Sequence, residues 1–294
     1  MSLPIDTYCM ECNIRRNLAL AHSLGDEVQA TAFLKDFLRA IAELPDGVPS
    51  PVLGPRLTEL LEKHYGLPRD RFQQEKATSN QFVLERLDTI REKVEAAEDP
   101  LLAGLQFAVL GNYLDFSALQ GKVSLQELDA MLDKALTLEL DGPAFQDFRR
   151  ELEQAKTLLY LTDNAGEIGF DRVFAETIHR LYPDVAITFC VRGEIAVNDA
   201  TRADAEAMGI PFPILDNGNN VAGTVPELMS PESRQALEQA DLILAKGMGN
   251  CETLFGCGRN IYYAFLVKCE KFSAIFQKPL MTPVFLRDPE HRGR

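Results

Sequence analysis

Residues 158–167 read Leu-Leu-Tyr-Leu-Thr-Asp-Asn-Ala-Gly-Glu, an apolar run that breaks abruptly into polar and turn-forming residues. Behind this stretch, apolar side chains recur at helical spacing at Ile168, Phe170, Val173, Phe174 and Ile178. The pattern predicts a buried strand, a tight turn and a helix. Asp163 and Asn164 then lie at the carboxyl end of the strand, where open α/β sheets bind their ligands. Asx residues also cap helices and build turns, so this motif alone leaves both interpretations open.

Two further apolar runs end in polar or glycine-rich segments. Residues 185–191 precede Arg192-Gly193 and then Asn198-Asp199-Ala200-Thr201, and residues 240–245 lead into Lys246-Gly247-Met248-Gly249-Asn250-Cys251-Glu252. Short apolar runs bounded by turn residues are typical of strands buried on both faces of a parallel sheet. Because the carboxyl ends of such strands converge on one crevice, we expect the three polar clusters to meet there.

The expected crevice carries oxygen donors. Asp163, Asn164 and Asp199 supply two carboxylates and an amide oxygen, a set that suits Mg²⁺ or Mn²⁺. A zinc site closed by nitrogen and sulfur ligands is not expected, because these turns contain no histidine and, apart from Cys251, no cysteine. The residue types therefore predict a hard divalent cation.

The same turns contain features that bind anions. Lys246 offers a positive charge, and Gly247 and Gly249 let backbone N–H groups approach a ligand closely. The helix expected to begin near Ala165 would direct its N-terminus at the same anion. A cation, a lysine and glycine-rich amides together predict a site that holds a phosphate group.

Together these motifs resemble the metal-dependent damage-control phosphatases, a family long catalogued as domain of unknown function eighty-nine. The resemblance rests on the segments after the three strands, which are residues 162–167, 192–201 and 246–252. Outside the sheet, three more segments are similar to family signatures, namely Lys76-Ala77-Thr78-Ser79-Asn80, Gly111-Asn112-Tyr113-Leu114-Asp115-Phe116 and Val267-Lys268-Cys269. The early Cys9-Met10-Glu11-Cys12 resembles the archaeal and bacterial stand-alone branch.

The resemblance implies a fold, a cofactor and a reaction. The implied fold is α/β, with a mainly helical N-terminal domain over residues 1–154 packed on a Rossmann-like three-layer α/β/α domain over residues 155–294. The implied cofactor is a divalent metal ion (Mn²⁺, Mg²⁺, Co²⁺ or Ni²⁺) bound by the second domain. The implied reaction is hydrolysis of phosphate monoesters, such as sugar phosphates or damaged phosphometabolites, in metabolite damage control.

Carried over residue by residue, the resemblance also assigns roles to side chains. The metal ligands fall on Asp163, Asn164 and Asp199, and the catalytic candidates are Asp163, Glu167 and Lys246. The substrate-binding candidates are Asn112, Asp115, Lys246, Gly247, Gly249, Asn250 and Glu252. Attack on phosphorus by a water that the cation activates, and attack by the carboxylate of Asp163 or Glu167, both stay open.

Length and composition agree with this interpretation. A chain of 294 residues is near the size at which single cores stop growing, which favours two domains. The net charge of −14 argues against general nucleic-acid binding, and no apolar run is long enough to span a membrane. The first residues lack the basic and apolar regions of a secretory signal, so we expect a cytoplasmic protein whose partner is a small-molecule phosphate ester. The oligomeric state stays open.

The six cysteines fit a reducing compartment. Cys9 and Cys12 form a CxxC pair that could bind a metal, cycle as a dithiol or simply begin a helix. A complete zinc site would need two further ligands, and His22 is the only histidine nearby in the sequence. The role of the pair is therefore open.

Two other functions compete with the phosphatase. Residues 247–252 begin like the GxGxxG motif of NAD-binding oxidoreductases, but they end in Glu252 and do not belong to the first βαβ unit. A non-catalytic metal- or nucleotide-binding protein could also use the same fold. Phosphate release that depends on a divalent cation would distinguish the enzyme from both.

Overall fold

The computed structural model describes residues 2–114, 130 and 132–291 of the chain. The helices that precede the sheet are α1 (Thr7–Leu24), α2 (Glu27–Ala42), α3 (Gly54–Tyr65), α4 (Gln73–Leu84), α5 (Leu87–Glu95), α6 (Pro100–Gly111) and α7 (Gly142–Gln154). The elements that follow are β1 (Thr157–Leu161), α8 (Glu167–Leu181), β2 (Ala186–Val191), α9 (Arg202–Ala207), β3 (Ile214–Asp216), α10 (Pro231–Gln239), β4 (Leu242–Lys246), α11 (Gly247–Leu254), β5 (Ile261–Leu266), α12 (Glu270–Phe276) and β6 (Pro283–Arg287). Short 3₁₀ turns lie at Ser50–Leu53, Asn112–Leu114, Ala135–Thr137 and Pro226–Leu228.

The six strands form one sheet in the order β3-β2-β1-β4-β5-β6. All neighbouring strands are parallel except β6, which pairs antiparallel with β5. The strand order reverses between β1 and β4, where Leu158 pairs with Leu242. At such a reversal, the chain connections that follow the two strands run to opposite sides of the pair. A crevice therefore opens between them at the carboxyl ends of the strands. Asp163 after β1 and Lys246 at the end of β4 therefore flank the expected binding crevice.

Helices cover both faces of the sheet. Leu158 and Tyr160 of β1 belong to a core that they share with α4 to α8, whereas Leu159 and Leu161 belong to a core that they share with α10, α11 and α12. This alternation follows from the two-residue period of a strand, which directs successive side chains to opposite faces. The Rossmann-like three-layer α/β/α fold predicted from the sequence is confirmed.

The N-terminal helices form two packing groups. Residues of α1, α2 and α3 have a core of their own, which includes Phe33, Phe37 and Leu61. Helices α4 to α7 instead share the core on one face of the sheet. The change from helix to strand falls between Gln154 and Thr157, close to the expected boundary at residues 154/155, and the division into two domains stays a prediction. No helix in the described ranges is both long and apolar enough to cross a membrane.

Helix α6 joins the helical part to the site. Nearly all of its residues are buried, as expected for a helix that is apolar around its whole circumference. It lies against α8 at close range, because a Cβ added to Gly104 would lie 2.7 Å from Cδ2 of the buried Phe174. The C-terminal end of α6 leads directly to Asn112, so this contact sets the position of that side chain relative to α8.

We expect Gly104→Ala to lower the free energy of unfolding by about 1–2 kcal/mol. The added methyl overpacks the α6–α8 contact at about 1–3 kcal/mol, which the better helix propensity of alanine offsets only partly. Urea unfolding followed by circular dichroism measures the change. Gly142→Ala is the matched control, because a Cβ at this exposed helix start meets nothing within 4 Å. Equal stability of the two variants would contradict the close-packing argument.

Candidate active site

The ends of β1 and β2 are joined by main-chain bonds. The N–H of Ala200 donates to the carbonyl of Asp163 at 2.7 Å, and Asn164 and Asp199 form an isolated antiparallel bridge. The chain after β2 thus folds back over the end of β1. Asp163 is partly exposed, while Asn164 and Asp199 are buried. The structure therefore brings the three expected cation ligands together.

Two side-chain amides link two carboxylates in the crevice. The Nδ2 groups of Asn112 and Asn164 donate to Oδ2 of Asp163 at 2.9 and 2.7 Å, and both donate to Oε2 of Glu167 at 2.9 Å. Oδ1 of Asn112 accepts from the N–H of Leu266 at 3.1 Å, which fixes the orientation of that amide. Since the nitrogen of Asn164 faces the two carboxylates, its Oδ1 is the atom directed away from them. An oxygen oriented in this way can serve a cation.

Lys246 has other contacts than the sequence suggested. Its buried ammonium donates to Oε1 of Glu167 at 2.8 Å, to Oδ1 of Asp171 at 2.5 Å and to the carbonyl of Ala108 at 2.7 Å. An ammonium has three donors, so these acceptors use them all. The expectation that Lys246 holds a substrate anion is not met in this arrangement, because its side chain points beneath the crevice towards α6 and α8.

Asp171 belongs to the same buried cluster, one helical turn beyond Glu167. It accepts a hydrogen bond from the hydroxyl of Tyr160 at 2.8 Å in addition to the one from Lys246. Burial raises the pKa of Asp171 to about 7, although the Lys246 ammonium opposes that rise. Sequence analysis missed this residue, which lies on α8 among apolar residues that pattern alone assigns to the core.

The electrostatic environment of Asp163 favours a positive neighbour. Burial, together with the charges of Glu167 and Asp199, raises the pKa of Asp163 well above its ordinary value. Lys268 and Arg192 act in the opposite direction. Lys268 is half-buried just after β5, in the segment of residues 267–269, and the sequence motif predicts no specific role for it. Its distance along the chain from Asp163 explains why the sequence did not connect the two.

The side chain of Asn250 also forms its hydrogen bonds within the protein. Its Nδ2 donates to the carbonyls of Thr162 at 3.0 Å and Lys246 at 2.7 Å, and its Oδ1 accepts from Arg192 at 3.3 Å and from the Thr224 hydroxyl at 2.8 Å. The side chain is fully buried. It was expected to bind substrate, but its contacts instead tie the ends of β1 and β4 together.

Gly247 and Gly249, which follow β4, are each required for a different structural reason. Gly247 has a φ of +77°, and a Cβ there would lie 2.2 Å from Cγ of Asp163. A Cβ on Gly249 would lie 2.1 Å from the carbonyl oxygen of Ala222. Only glycine permits either approach. Gly247 therefore borders the candidate site, whereas Gly249 makes room for a neighbouring loop, which explains the GxG pattern without a dinucleotide.

Glu252 lies in another cluster. Its Oε1 is 3.9 Å from Nζ of Lys271, and that ammonium also lies 3.4 Å from Sγ of Cys9 in α1. Burial raises the pKa of Glu252 to about 7. The structure thus groups Glu252 with the N-terminal CxxC helix and not with the hydrogen-bonded groups around Asp163. Asp115, the remaining substrate-binding candidate, lies outside the described residues.

Known proteins share both sequence and fold with this chain. The family model described as the damage-control phosphatase ARMT1-like domain matches residues 5–282 of this chain. A damage-control phosphatase of Archaeoglobus fulgidus is 34% identical over 207 residues, which are 68% of this chain and 70% of that protein. A damage-control phosphatase of Pyrococcus horikoshii is 29% identical over 222 residues, or 74% of this chain and 75% of that protein. An uncharacterised protein of Methanocaldococcus jannaschii is 29% identical over 92% of this chain and 90% of its own length.

A solved structure also supports the fold. The crystal structure of a DUF89 family protein from Pyrococcus horikoshii superposes with a TM-score of 0.82 and covers 97% of this chain and 99% of its own. Its sequence identity of 24% makes this evidence for the fold alone. With the match over residues 5–282, the chain belongs to the damage-control phosphatase ARMT1-like family, and the resemblance noted in the sequence is confirmed.

We expect Lys246→Met to lower the free energy of unfolding by about 3–5 kcal/mol, because it leaves two buried carboxylates without their cation. Thermal and urea unfolding at neutral pH measure the loss. Lys93→Met serves as the control, since it breaks a surface pair with Asp133 of 3.0 Å that is worth about 0–1 kcal/mol. Losses of similar size in the two variants would show that Lys246 does not hold the buried cluster together.

Proposed function

We propose that this chain is a metal-dependent phosphatase that hydrolyses small phosphate monoesters. Its family membership assigns it to the damage-control phosphatases, which act in metabolite damage control. We further propose that Asp163, Asn164 and Asp199 hold one divalent cation. Sugar phosphates and damaged phosphometabolites are the substrate class that we expect, with Mn²⁺, Mg²⁺, Co²⁺ or Ni²⁺ as the cation.

The charge balance of the crevice is the observation that carries the proposal. Its acidic side chains are Asp163, Glu167, Asp171 and Asp199, and the buried cations that pair with them are Lys246 and Arg192. With the half-buried Lys268, which also acts on Asp163, the carboxylates exceed the cations by one charge when all are ionised. Uncompensated charge away from water is costly, so a dication would offset the burial and the carboxylate repulsion that together raise the pKa of Asp163.

The donor set fits such an ion. Two carboxylates and an amide oxygen are ligands that Mg²⁺ and Mn²⁺ accept, with water and substrate phosphate completing the coordination. In the described part of the chain, no three His, Cys, Asp or Glu side chains are placed to hold a metal together. The proposed site therefore depends on Asn164 as its third protein ligand, and the bonds of its nitrogen leave the oxygen oriented for that role.

We assign different roles to the residues around the proposed cation. A bound dication would neutralise the charge that develops on a phosphate during hydrolysis. Glu167 is fully buried and both its oxygens accept hydrogen bonds, so we propose that it orients the amides and leaves contact with the phosphate to other residues. The partly exposed Asp163 is the better candidate to face the phosphate. We propose that Lys268, whose charge opposes the rise in the pKa of Asp163, attracts the remaining phosphate oxygens.

We expect metal-stripped protein to release no phosphate from an aryl phosphate or from a panel of sugar phosphates. Activity should return with at least one of Mn²⁺, Mg²⁺, Co²⁺ or Ni²⁺, and Asp163→Ala should lower it by about 100-fold or more, because the variant removes a proposed ligand. Released phosphate is measured directly, and circular dichroism confirms that the variant is folded.

Asp184→Ala is the control, since this exposed carboxylate precedes β2, at the opposite end of the strand from the crevice, and its loss should leave activity unchanged. Full activity without any divalent ion would refute the cation dependence. No release from any ester, despite binding of Mn²⁺, would favour a non-catalytic metal-binding protein.

We expect Gly247→Ala to lower the cation-dependent activity by about 100-fold, because the new methyl would displace the Asp163 carboxylate. The left-handed backbone also costs about 1–2 kcal/mol of stability when alanine replaces glycine. Gly209→Ala isolates this backbone cost, since its φ is +62° and a Cβ there meets only the end of Arg172 at 3.2 Å. The control should lose stability and keep its activity, and equal losses of activity would contradict the steric argument.

A further inference from the structure

Arg192 is a buried guanidinium next to the crevice that neither binds the cation nor contacts the substrate in the proposed reaction. It is the first residue after β2 and is only 2% exposed. Its Nε donates to Oδ2 of Asp199 at 2.6 Å, and its Nη2 donates to the carbonyl of Thr162 at 3.4 Å and to Oδ1 of Asn250 at 3.3 Å. One side chain thus contacts groups beyond β1, β2 and β4.

The loop between Arg192 and Asp199 needs this anchoring. Its tip, residues 193–195, is exposed, and Val197 has a φ of +50°. A β-branched residue in the left-handed region is strained and persists only where the surrounding structure holds it. The guanidinium bond to Asp199, together with the N–H of Arg192 on the carbonyl of Ala200 at 2.9 Å, closes the loop at its base.

We infer that Arg192 is a positioning residue of the cation site. It holds the carboxylate of Asp199 and the carbonyl that precedes Asp163 in a fixed relation, so that ligands from two strand ends face one ion. Its burial keeps it from contacting a substrate phosphate. The inference rests on the proposed function, because it assumes that Asp163 and Asp199 bind the cation.

The chemistry of the side chain supports this role. A guanidinium is planar and carries five donors in a rigid fork, so it can hold several acceptors at fixed angles. The ammonium of a lysine is a point charge whose donors rotate, and it cannot reproduce that fork. Groups that orient metal ligands typically contribute 10- to 100-fold to metal affinity.

Mn²⁺ binding to the full-length protein tests the inference. We expect Arg192→Lys to raise the Kd for Mn²⁺ by about 10-fold or more, measured from the electron paramagnetic resonance signal of free Mn²⁺. At saturating Mn²⁺ the KM for an aryl phosphate should stay the same, because the side chain does not contact substrate. A purely structural role would lower the melting temperature without changing the Kd.

Arg172→Lys is the matched control. Arg172 also pairs through Nε with a carboxylate, that of Glu176 at 2.8 Å, and through Nη1 with a backbone carbonyl, that of Met208 at 2.7 Å. It lies on α8 outside the candidate site, so its lysine variant should keep the native Kd for Mn²⁺. If Arg192→Lys does not fold, Asn250→Ser removes the Asn250 acceptor of the guanidinium and should raise the same Kd with no change in KM.

The outcomes separate the inference from the proposed function. A native protein that binds no Mn²⁺ overturns the cation site itself, and with it the role of Arg192. A native protein that binds Mn²⁺, with a Kd that neither Arg192→Lys nor Asn250→Ser changes, overturns the inference alone. An equal rise in Kd in Arg172→Lys would also overturn it, because the effect would then be general.

Discussion

The candidate site depends on the ion pairs and the hydrogen bond that the buried ammonium of Lys246 forms. It joins the end of β4 to Glu167 and Asp171 of α8 and to the carbonyl of Ala108 in α6. Each of these elements contributes to the crevice, so one cation sets their relative positions. A buried charge cluster of this kind is expensive to break and tolerates few alternative arrangements, which makes it a precise anchor for the groups above it.

In the proposed site, the buried residues position their neighbours and the partly exposed Asp163 faces the substrate. Glu167, Asn112, Asn250 and Arg192 are buried and hydrogen-bonded by the protein, and they orient the side chains beside them. Asp163 is partly exposed and lies where these restraints converge. Such a division is expected of a site that must hold ligands within tenths of an ångström while leaving one face open to substrate.

Much of this arrangement could be predicted from the sequence. The three apolar runs with polar ends correctly predicted parallel strands and the convergence of Asp163, Asn164 and Asp199, because carboxyl ends of such strands meet at one edge of the sheet. The direction of Lys246 could not be predicted in this way. Its acceptor on Ala108 is 138 positions away in the chain, and no local pattern connects the two.

The sequence by itself determined the α/β fold, the family and the residue types at the strand ends, since these follow from local periodicity and from motifs that are contiguous in the chain. Only the tertiary structure decided which polar side chains face the crevice and which lie beneath it. It directed Lys246 inward and placed Glu252 beside Cys9 and Lys271. The physical reason is that the partners of a buried charge come from distant segments, and only packing selects them.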